Sequence, residues 1–368
     1  MNDASTYLDA ASSEPLHPAA RQTLLAALDQ GYADPRRLHR PARNARLLLD
    51  NARAVVAECL GVRADEVTFT SSGTEAVHRG LLGLARARRS RGSVIVHSAV
   101  EHSAVIHAAE WGSESRRVGV MGDGQVDGGD LVEQSMVPGV AVVALQSANH
   151  EVGTIQPVGE FRLSNDVPLF VDACASMGRL ALPDGWAALA GSAHKWGGPA
   201  GVGVLLIRHG TRWETPFPAD DRVDHRASGF ENVPAALAAA AALRAVVDER
   251  EETNARQFAL VDRIRDAVKA LADTEVVGHP VERLPHLVTF SCLYVNGEAL
   301  VTELDRRGFG VASGSACTAS TLEPSHVLAA MGALTHGNVR VSLTRSTSAA
   351  EVEAFCSALP EVVAGLRS

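Results

Sequence analysis

Cysteine is scarce in this sequence, and its few positions form no pairs. The chain of 368 residues has five cysteines, and none belongs to a CxxC motif. Scattered cysteines in odd number argue against both a disulfide framework and a structural zinc site. The sequence therefore predicts no bound metal and a reducing, cytoplasmic location. The five are Cys59, Cys174, Cys292, Cys317 and Cys356.

Long apolar runs and an excess of basic residues are also missing. No segment approaches the roughly 18 consecutive apolar residues that a membrane span needs, and the first residues lack the basic and apolar regions of a secretory signal. The formal net charge of −9 disfavours nucleic-acid binding. The composition, with 46% hydrophobic and 21% charged residues, is that of a globular protein whose partners are neither membranes nor nucleic acids.

What the sequence does contain is an alternation of short β-rich runs with helix-length segments. Continuous apolar runs are typical of strands that are covered on both faces. The alternation predicts an α/β domain with a mostly parallel sheet. The predicted strands are Val67–Thr70, Val94–His97, Val118–Val120, Val140–Leu145, Leu169–Asp172, Ala188–Ser192 and Val202–Ile207.

The last third of the chain has a different pattern of predicted helices and strands. A helical region begins at Pro234, and the elements beyond it are fewer and more widely separated. Because the chain is long for a single core, we expect a smaller α+β domain here, which the N-terminal residues join. We place the large domain at 16–245 and the small domain at 1–15 together with 246–368.

Lys195 is notable for the residues around it. It follows a predicted strand, lies near Ser192 and His194, and opens the turn Trp196-Gly-Gly-Pro199. An isolated lysine at a strand end is usually a solvated charge. Glycines, however, let the backbone approach a ligand closely, and a lysine held in a pocket can lose its proton and react with an aldehyde.

Three other strand ends carry residues that would suit a cofactor. Asp172 is either a helix cap or a buried acid that keeps a pyridinium nitrogen protonated. Gly73 and Thr74 open a predicted helix, whose free N–H groups suit a phosphate, although an ordinary N-cap has the same sequence. His102 could lie flat on an aromatic cofactor, although a lone histidine is more often structural.

In their order along the chain, these segments resemble the class V aminotransferase family, and within it the cysteine desulfurases of the nitrogen-fixation and iron–sulfur-assembly type. The resemblance covers nearly the whole chain. It implies the fold of a fold type I pyridoxal-phosphate-dependent transferase, with a large domain built on a mostly parallel seven-stranded sheet and a smaller α+β C-terminal domain. The motifs are Tyr7-Leu-Asp-Ala-Ala11, the Ser72-Gly-Thr74 turn, Glu101-His102, Asn149-His-Glu-Val-Gly-Thr-Ile-Gln-Pro157, Val171-Asp-Ala173 and Ser192-Ala-His-Lys-Trp-Gly-Gly-Pro199.

Two C-terminal motifs extend the resemblance. The segment Val311-Ala-Ser-Gly-Ser-Ala-Cys-Thr-Ala-Ser320 is similar to the catalytic-cysteine loop of these desulfurases. Cys317 is either a reactive thiol, which its small neighbours favour, or a buried structural one. Arg340 lies where the family's arginine binds the substrate carboxylate, a task that suits a planar bidentate donor. The alternative is an arginine that faces solvent.

The resemblance also implies a reaction and its participants. Lys195 would carry pyridoxal 5'-phosphate and move the α-proton of L-cysteine, and Cys317 would take the sulfur as a persulfide, with alanine as the other product. A sulfur-acceptor protein or a small thiol would then collect the sulfur, and the enzyme is expected to be a homodimer. The resemblance assigns catalysis to Lys195, Cys317 and His102, substrate binding to Arg340, and cofactor binding to Gly73, Thr74, His102, His150, Asp172, Ser192, His194 and Lys195.

Five positions depart from the family pattern. His150 replaces an asparagine, and Ala175 replaces a glutamine that meets the cofactor's ring hydroxyl. Ala227 and Phe230 replace an arginine and a threonine in a loop that reaches the partner subunit's phosphate, and Asp34 replaces an asparagine. Because lost hydrogen bonds of this kind can cost on the order of 1 kcal/mol each, we expect weak cofactor retention, slow turnover or a changed substrate.

These departures leave two alternatives to a cysteine desulfurase. One is a relative in the same family, namely a C–S lyase, a selenocysteine lyase or an aminotransferase. The other is a non-catalytic scaffold that binds a partner protein. Retention of Cys317 favours the desulfurase, and the joint presence of Lys195, Asp172, His102 and Arg340 argues against the scaffold.

Overall fold

The structure is a computed structural model, and it describes residues 5–30, 32–112, 114–163, 167–218, 224–313 and 324–367. The helices in these ranges are α1 (Pro18–Gln30), α2 (Arg40–Leu60), α3 (Gly73–Ala87), α4 (Ser103–Gly112), α5 (Gly128–Met136), α6 (Val233–Asp248), α7 (Arg250–Lys269), α8 (Gly297–Arg306), α9 (His326–Met331) and α10 (Ala349–Arg367). The strands are β1 (Thr6–Tyr7), β2 (Val67–Thr70), β3 (Val94–Ser98), β4 (Ser115–Val118), β5 (Val140–Gln146), β6 (Leu169–Asp172), β7 (Ala188–Ser192), β8 (Gly203–Ile207), β9 (Thr274–Val277), β10 (Leu287–Cys292), β11 (Phe309–Gly310) and β12 (Asn338–Ser342).

The main sheet has seven strands in the order β2-β8-β7-β6-β5-β3-β4. Strand β8 runs antiparallel to both of its neighbours, and the other pairings are parallel. The carboxyl ends of β3, β5, β6 and β7 therefore lie along one edge of the sheet, where α/β folds bind their ligands. The predicted fold class, with its mostly parallel seven-stranded sheet, is confirmed.

Helices cover both faces of this sheet. On one face, α3 and α4 pack Leu81, Leu84 and Val105 against the strands. On the other face, α2 and the alanine-rich α6 contribute residues such as Val56 and Leu243. Strands β3, β5, β6, β7 and β8 are buried along their whole lengths, which explains their continuous apolar sequences.

One predicted strand was misplaced. The sequence predicted a strand at Val118–Val120, whereas the observed strand β4 begins at Ser115, pairs with β3 and ends at Val118. Val120 forms an isolated bridge with Val126 beyond it. Strand β4 lies at the edge of the sheet, and its Arg116 and Arg117 are not buried, so it lacks the apolar pattern of its neighbours.

A second, smaller sheet has the antiparallel order β12-β10-β9. Its core combines α7, α8 and α10 with Leu8 from the start of the chain, which is fully buried. Strand β1 pairs with β11. The N-terminal residues thus pack with the C-terminal third of the chain, while the boundaries of the two domains stay a prediction. Among the described residues, no helix is both long and apolar enough to span a membrane.

Residues 8–17, here called the N-terminal segment, connect the two sheets. At one end, the N–H of Ser342 donates to Leu8 O over 2.8 Å, and the N–H of Ala11 donates to Ser342 Oγ over 2.9 Å. At the other end, the N–H of Glu14 donates to His194 O over 2.9 Å. The segment therefore links strand β12 to the turn that carries Lys195.

Candidate functional site

A cavity lies at the edge of the main sheet where its parallel strands end. Every residue that the sequence assigned to cofactor binding lines it, although these residues come from five separate parts of the chain. Val77, Ala104, Gln146, Ala148, Cys174 and Ala175 complete its wall. The assigned residues in the wall are Gly73, Thr74, His102, His150, Asp172, Ser192, His194 and Lys195.

One end of the cavity is formed by the start of α3. Ser72 caps this helix, because its Oγ accepts a hydrogen bond from the N–H of Glu75 over 3.0 Å. Gly73 leaves no room for a side chain, since a Cβ there would lie 2.6 Å from Ser192 Cβ. Ser192 Oγ in turn lies 3.1 Å from His194 Nδ1. Helix N–H groups, a hydroxyl and an imidazole thus meet at one point, a donor set that suits a phosphate.

Asp172 and Cys174 lie deeper in the cavity. Asp172 is buried, and its Oδ1 accepts a hydrogen bond from the N–H of Cys174 over 2.9 Å. Burial, followed by the charge of Asp172, raises the pKa of the Cys174 thiol well above its ordinary value. The sequence analysis assigned no role to Cys174, whereas the structure places it in the cavity wall as a protonated thiol.

Lys195 ends a single 3₁₀ turn that follows β7. Among the described residues, no hydrogen bond or ion pair engages its ammonium group. Its charge contributes to lowering the pKa values of His102, His150 and His194, although burial is the largest cause for all three. These imidazoles are therefore neutral, and the amine of Lys195 is available to a ligand.

His102 and His150 form a ring pair beside Lys195. Their ring centroids are 4.9 Å apart and their planes meet at 71°. His102 Nδ1 accepts a hydrogen bond from the N–H of Ala104 over 3.1 Å. With Nδ1 used as an acceptor, the proton of a neutral His102 is on Nε2. The replacement of the family's asparagine by His150 therefore places a second neutral imidazole at the cavity.

Arg340 lies behind this ring pair and is not among the residues that line the cavity. Its Nη1 donates to His150 O over 3.1 Å, and its Nη2 donates to Asp9 Oδ1 over 2.8 Å and to Ser12 Oγ over 2.6 Å. Its Nε is buried without a hydrogen-bond partner among the described residues. The guanidinium is thus one layer away from the cavity, and its Nε is available to a further acceptor.

Sequence reasoning missed two buried acids near the site. Burial raises the pKa of Glu151 to about 7, and a hydrogen bond with Ser325 and the charge of Arg340 offset only part of that effect. Burial also raises the pKa of Glu101 well above its ordinary value. Both residues are adjacent in sequence to site histidines, His150 and His102, and that adjacency was the available signal.

The predicted nucleophile Cys317 lies outside the described residues. Ala312, near the end of the range that precedes it, pairs with Arg340 through hydrogen bonds of 2.7 and 3.2 Å. The chain therefore leaves the described region beside Arg340. The role of Cys317 stays a prediction.

The remaining departures from the family pattern lie away from this cavity, apart from Ala175. Asp34 is bound by the guanidinium of Arg36 over 2.9 and 2.7 Å, which lowers the pKa of that carboxyl to about 2. Phe230 is half exposed, with its ring 6.3 Å from that of Tyr32. A larger cavity on this side of the molecule, of about 740 Å³, contains none of the predicted site residues.

The sequence and the fold match those of known proteins. The family model for class V aminotransferases matches residues 6–355, and the chain belongs to this family. The predicted family membership is therefore confirmed. Pyridoxal phosphate dependence is a property of this class of enzymes.

Several proteins of similar sequence are named cysteine desulfurases. The chain is 35% identical to the IscS-like cysteine desulfurase of Mycobacterium tuberculosis, covering 98% of this chain and 97% of that protein. It is 32% identical to the cysteine desulfurase IscS of Dictyoglomus turgidum, covering 98% and 95%. Among solved structures, a NifS-like protein superimposes with a TM-score of 0.90 at 26% identity, covering 98% of this chain and all of the other.

Proposed function

We propose that this chain is a pyridoxal-phosphate-dependent cysteine desulfurase, which removes sulfur from L-cysteine and releases L-alanine. The observation that carries the proposal is the meeting of Lys195, Asp172 and the start of α3 in one cavity. The full-length relatives that are named cysteine desulfurases support it. The predicted activity thus agrees with both the site and the family.

The residues present fit the cofactor. The start of α3, with Ser192 and His194, offers a phosphate site that a Cβ at residue 73 would fill. Asp172 offers a buried carboxylate for a pyridinium nitrogen, and Lys195 offers a free amine. When bound, pyridoxal phosphate supplies an electron sink for the bonds to the substrate's α-carbon.

The chain's own groups would perform the remaining tasks. Lys195 would move the α-proton, because it lines the cavity and its amine is engaged by no hydrogen bond or ion pair among the described residues. His102 would stack on the ring, with its Nε2 proton on the side away from the backbone of Ala104. Arg340 would bind the substrate carboxylate with the donor that it keeps free.

Sulfur transfer would use Cys317. Its thiolate would form a bond to the substrate sulfur as the bond from that sulfur to the β-carbon breaks, and the electron pair would stay with the substrate carbon, which gains a proton and leaves as alanine. The sulfur would remain on Cys317 as a persulfide for an acceptor protein or a small thiol. Cys174 is unsuited to this role because its pKa is raised.

The direct test is mass spectrometry of the cofactor-loaded protein after brief exposure to L-cysteine, with alanine assayed in parallel. We expect one persulfide on Cys317 and a matching amount of alanine, both lost in Cys317→Ala. The variant Cys356→Ala is the matched control, since Cys356 lies on α10 in the small-domain core. Bound cofactor with neither product would refute the desulfurase.

The cofactor attachment has its own test because the sequence contains only two lysines, Lys195 and Lys269. Borohydride reduction of the loaded protein, followed by peptide mapping, should place the cofactor on Lys195. Lys269 is exposed at the end of α7, near Asp266. Lys269→Ala should keep the label and Lys195→Ala should lose it; a label on Lys269 would contradict the assignment.

A related C–S lyase or selenocysteine lyase is the second candidate. The observation that favours it is the changed cavity wall, in which His150 and Ala175 replace the family's asparagine and glutamine. Product release from cysteine and from selenocysteine, each assayed in the parent protein and in Cys317→Ala, decides between the two. A lyase would release its product without Cys317, whereas a desulfurase would not. A homodimer, with Ala227 and Phe230 near the partner subunit, remains part of the proposal.

A further inference from the structure

The guanidinium of Arg340 is already bound by a carboxylate of this chain. Its Nη2 donates to Asp9 Oδ1 over 2.8 Å and to Ser12 Oγ over 2.6 Å. An Nη group carries two hydrogens, so these two acceptors use both of them. Nε, in contrast, has no partner among the described residues although Arg340 is only 4% exposed.

This arrangement restricts how a further carboxylate can bind. A carboxylate accepts two parallel hydrogen bonds from a guanidinium either at the two Nη groups or at Nε together with the adjacent Nη2. Both arrangements require Nη2, which Asp9 and Ser12 occupy. A second carboxylate can therefore bind in the bidentate manner only if one of these two residues releases Nη2.

Asp9 is the residue whose side chain can release Nη2. Its side chain is 22% exposed, whereas that of Arg340 is 5% exposed. The backbone of Asp9 is fixed, because Tyr7 Oη donates to Asp9 O over 3.0 Å and the N–H of Ala10 donates to Ser342 O over 3.2 Å. The carboxylate can thus turn towards solvent without displacement of the N-terminal segment.

The buried guanidinium needs such a partner when no substrate is bound. A buried charge without a counter-ion is costly, and among the described residues Asp9 makes the only ion pair with Arg340. Glu151 also feels the charge of Arg340, but burial raises its pKa to about 7, which leaves it partly protonated at neutral pH. Asp9 is therefore the main negative partner of Arg340 in the free protein.

We propose that Asp9 is the resting counter-ion of Arg340, and that the carboxylate of the amino-acid substrate displaces it from Nη2 and takes up the free Nε. The inference rests on the proposed function, in which Arg340 binds the substrate carboxylate. Asp9 then acts as a specificity-determining residue. It admits ligands that carry a carboxylate able to use Nε and Nη2 together, and it lowers their affinity by competing for the same donor.

The experiment compares ligands with and without a carboxylate on the cofactor-loaded protein. L-Alanine and ethylamine differ by the carboxylate alone, and the binding of each is followed by the change in cofactor absorbance, without turnover. The variant Asp9→Asn keeps an oxygen acceptor for Nη2 but removes the charge. We expect it to bind L-alanine about tenfold more tightly, a gain of about 1.4 kcal/mol, because the charged competitor for Nη2 is gone, while ethylamine binding stays unchanged.

Two further variants separate the possible failures. Asp262→Asn removes a carboxylate that pairs with Arg283 in the same part of the molecule, over 2.5 Å, and should leave both ligands unaffected. Arg340→Gln should weaken L-alanine alone; if it does not, the carboxylate role of Arg340 fails and the inference fails with it. If Asp9→Asn weakens L-alanine or leaves it unchanged while Arg340→Gln weakens it, Asp9 does not compete and only the inference is overturned. The persulfide assay with cysteine tests the desulfurase independently of both.

Discussion

Four histidines around Lys195 are held neutral by burial. The pKa values of His102, His150, His194 and His286 are all lowered, with burial as the largest cause. Neutral imidazoles can donate and accept hydrogen bonds without adding positive charge to the cavity. The positive charge near the site is therefore carried by lysine and arginine side chains.

Glu151 should make stability depend on pH. Its folded-state pKa is about 7, whereas an unfolded glutamate has a pKa of about 4.3. Between these values the folded chain keeps a proton that the unfolded chain releases. The stability from this group is therefore fully present below about pH 4 and is lost as the pH rises through about 7.

The variant Glu151→Gln should remove this dependence. We expect its melting temperature to fall less than that of the parent protein between about pH 5 and about pH 8, since a permanently neutral side chain has no proton to lose. Glu353→Gln is the control, because Glu353 is exposed and pairs with Arg263 at the surface. Parallel melting curves for parent and Glu151→Gln across this range would show that Glu151 ionises normally.

At the scale of elements, the proposed phosphate site requires the start of α3 to pack against the end of β7 and the turn that follows it. Gly73 and Ser192 are in contact because residue 73 has no Cβ. A methyl group there would press on Ser192 Cβ at 2.6 Å and on its Oγ at 2.8 Å. Contacts that short force one of the two elements to move.

We expect Gly73→Ala to weaken cofactor binding by about tenfold or more, because displacement of α3 or Ser192 removes donors from the phosphate. Equilibrium dialysis of pyridoxal phosphate measures the change. Gly365→Ala is the matched control, since that glycine lies in α10 with open space where its Cβ would be. Equal cofactor affinity in the two variants would place the phosphate elsewhere.

The strands also show which parts of the structure could be predicted from the sequence. Strands β2, β6 and β7 have the predicted boundaries, because their burial on both faces leaves a continuous apolar pattern. Strand β4 does not, since an edge strand with Arg116 and Arg117 partly in solvent has no such pattern. The residues that the sequence assigned to the cofactor share one cavity because each ends or follows a strand whose carboxyl end lies at the same edge of the sheet.

Contacts between distant parts of the chain were not predictable in this way. Asp9 and Arg340 are 331 residues apart, and nothing in either local sequence points to the other. The position of Cys174 in the cavity wall was missed for a different reason. A cysteine after an apolar strand has the same sequence pattern whether it faces the core or a ligand.

At the scale of the whole molecule, the N-terminal segment holds the two sheets together. Leu8 is fully buried in the small-domain core, while Glu14 and His17 hydrogen-bond to His194 O and Gly197 O beside Lys195. The segment thus extends from Asp9, which pairs with Arg340, to the turn that carries Lys195. Its packing should contribute to the stability of both.

Leu8→Ala should lower the free energy of unfolding by about 2–5 kcal/mol, the usual cost of a cavity in a well-packed core. Denaturant titration measures the loss. Leu38→Ala is the control, because Leu38 is 89% exposed and its truncation removes no core contact. A loss below about 1 kcal/mol for Leu8→Ala would mean that the segment packs loosely.

The placement of the N-terminal segment also determines when the site can be completed during synthesis. Strand β1, which pairs with β11, and Leu8, which shares a core with Phe355 and other residues of α10, leave the ribosome long before these partners. Domains usually fold in the order in which they emerge. The main sheet, whose last strand is β8, can therefore form before the small sheet is translated. Asp9, in contrast, can pair with Arg340 only after β12 has been translated.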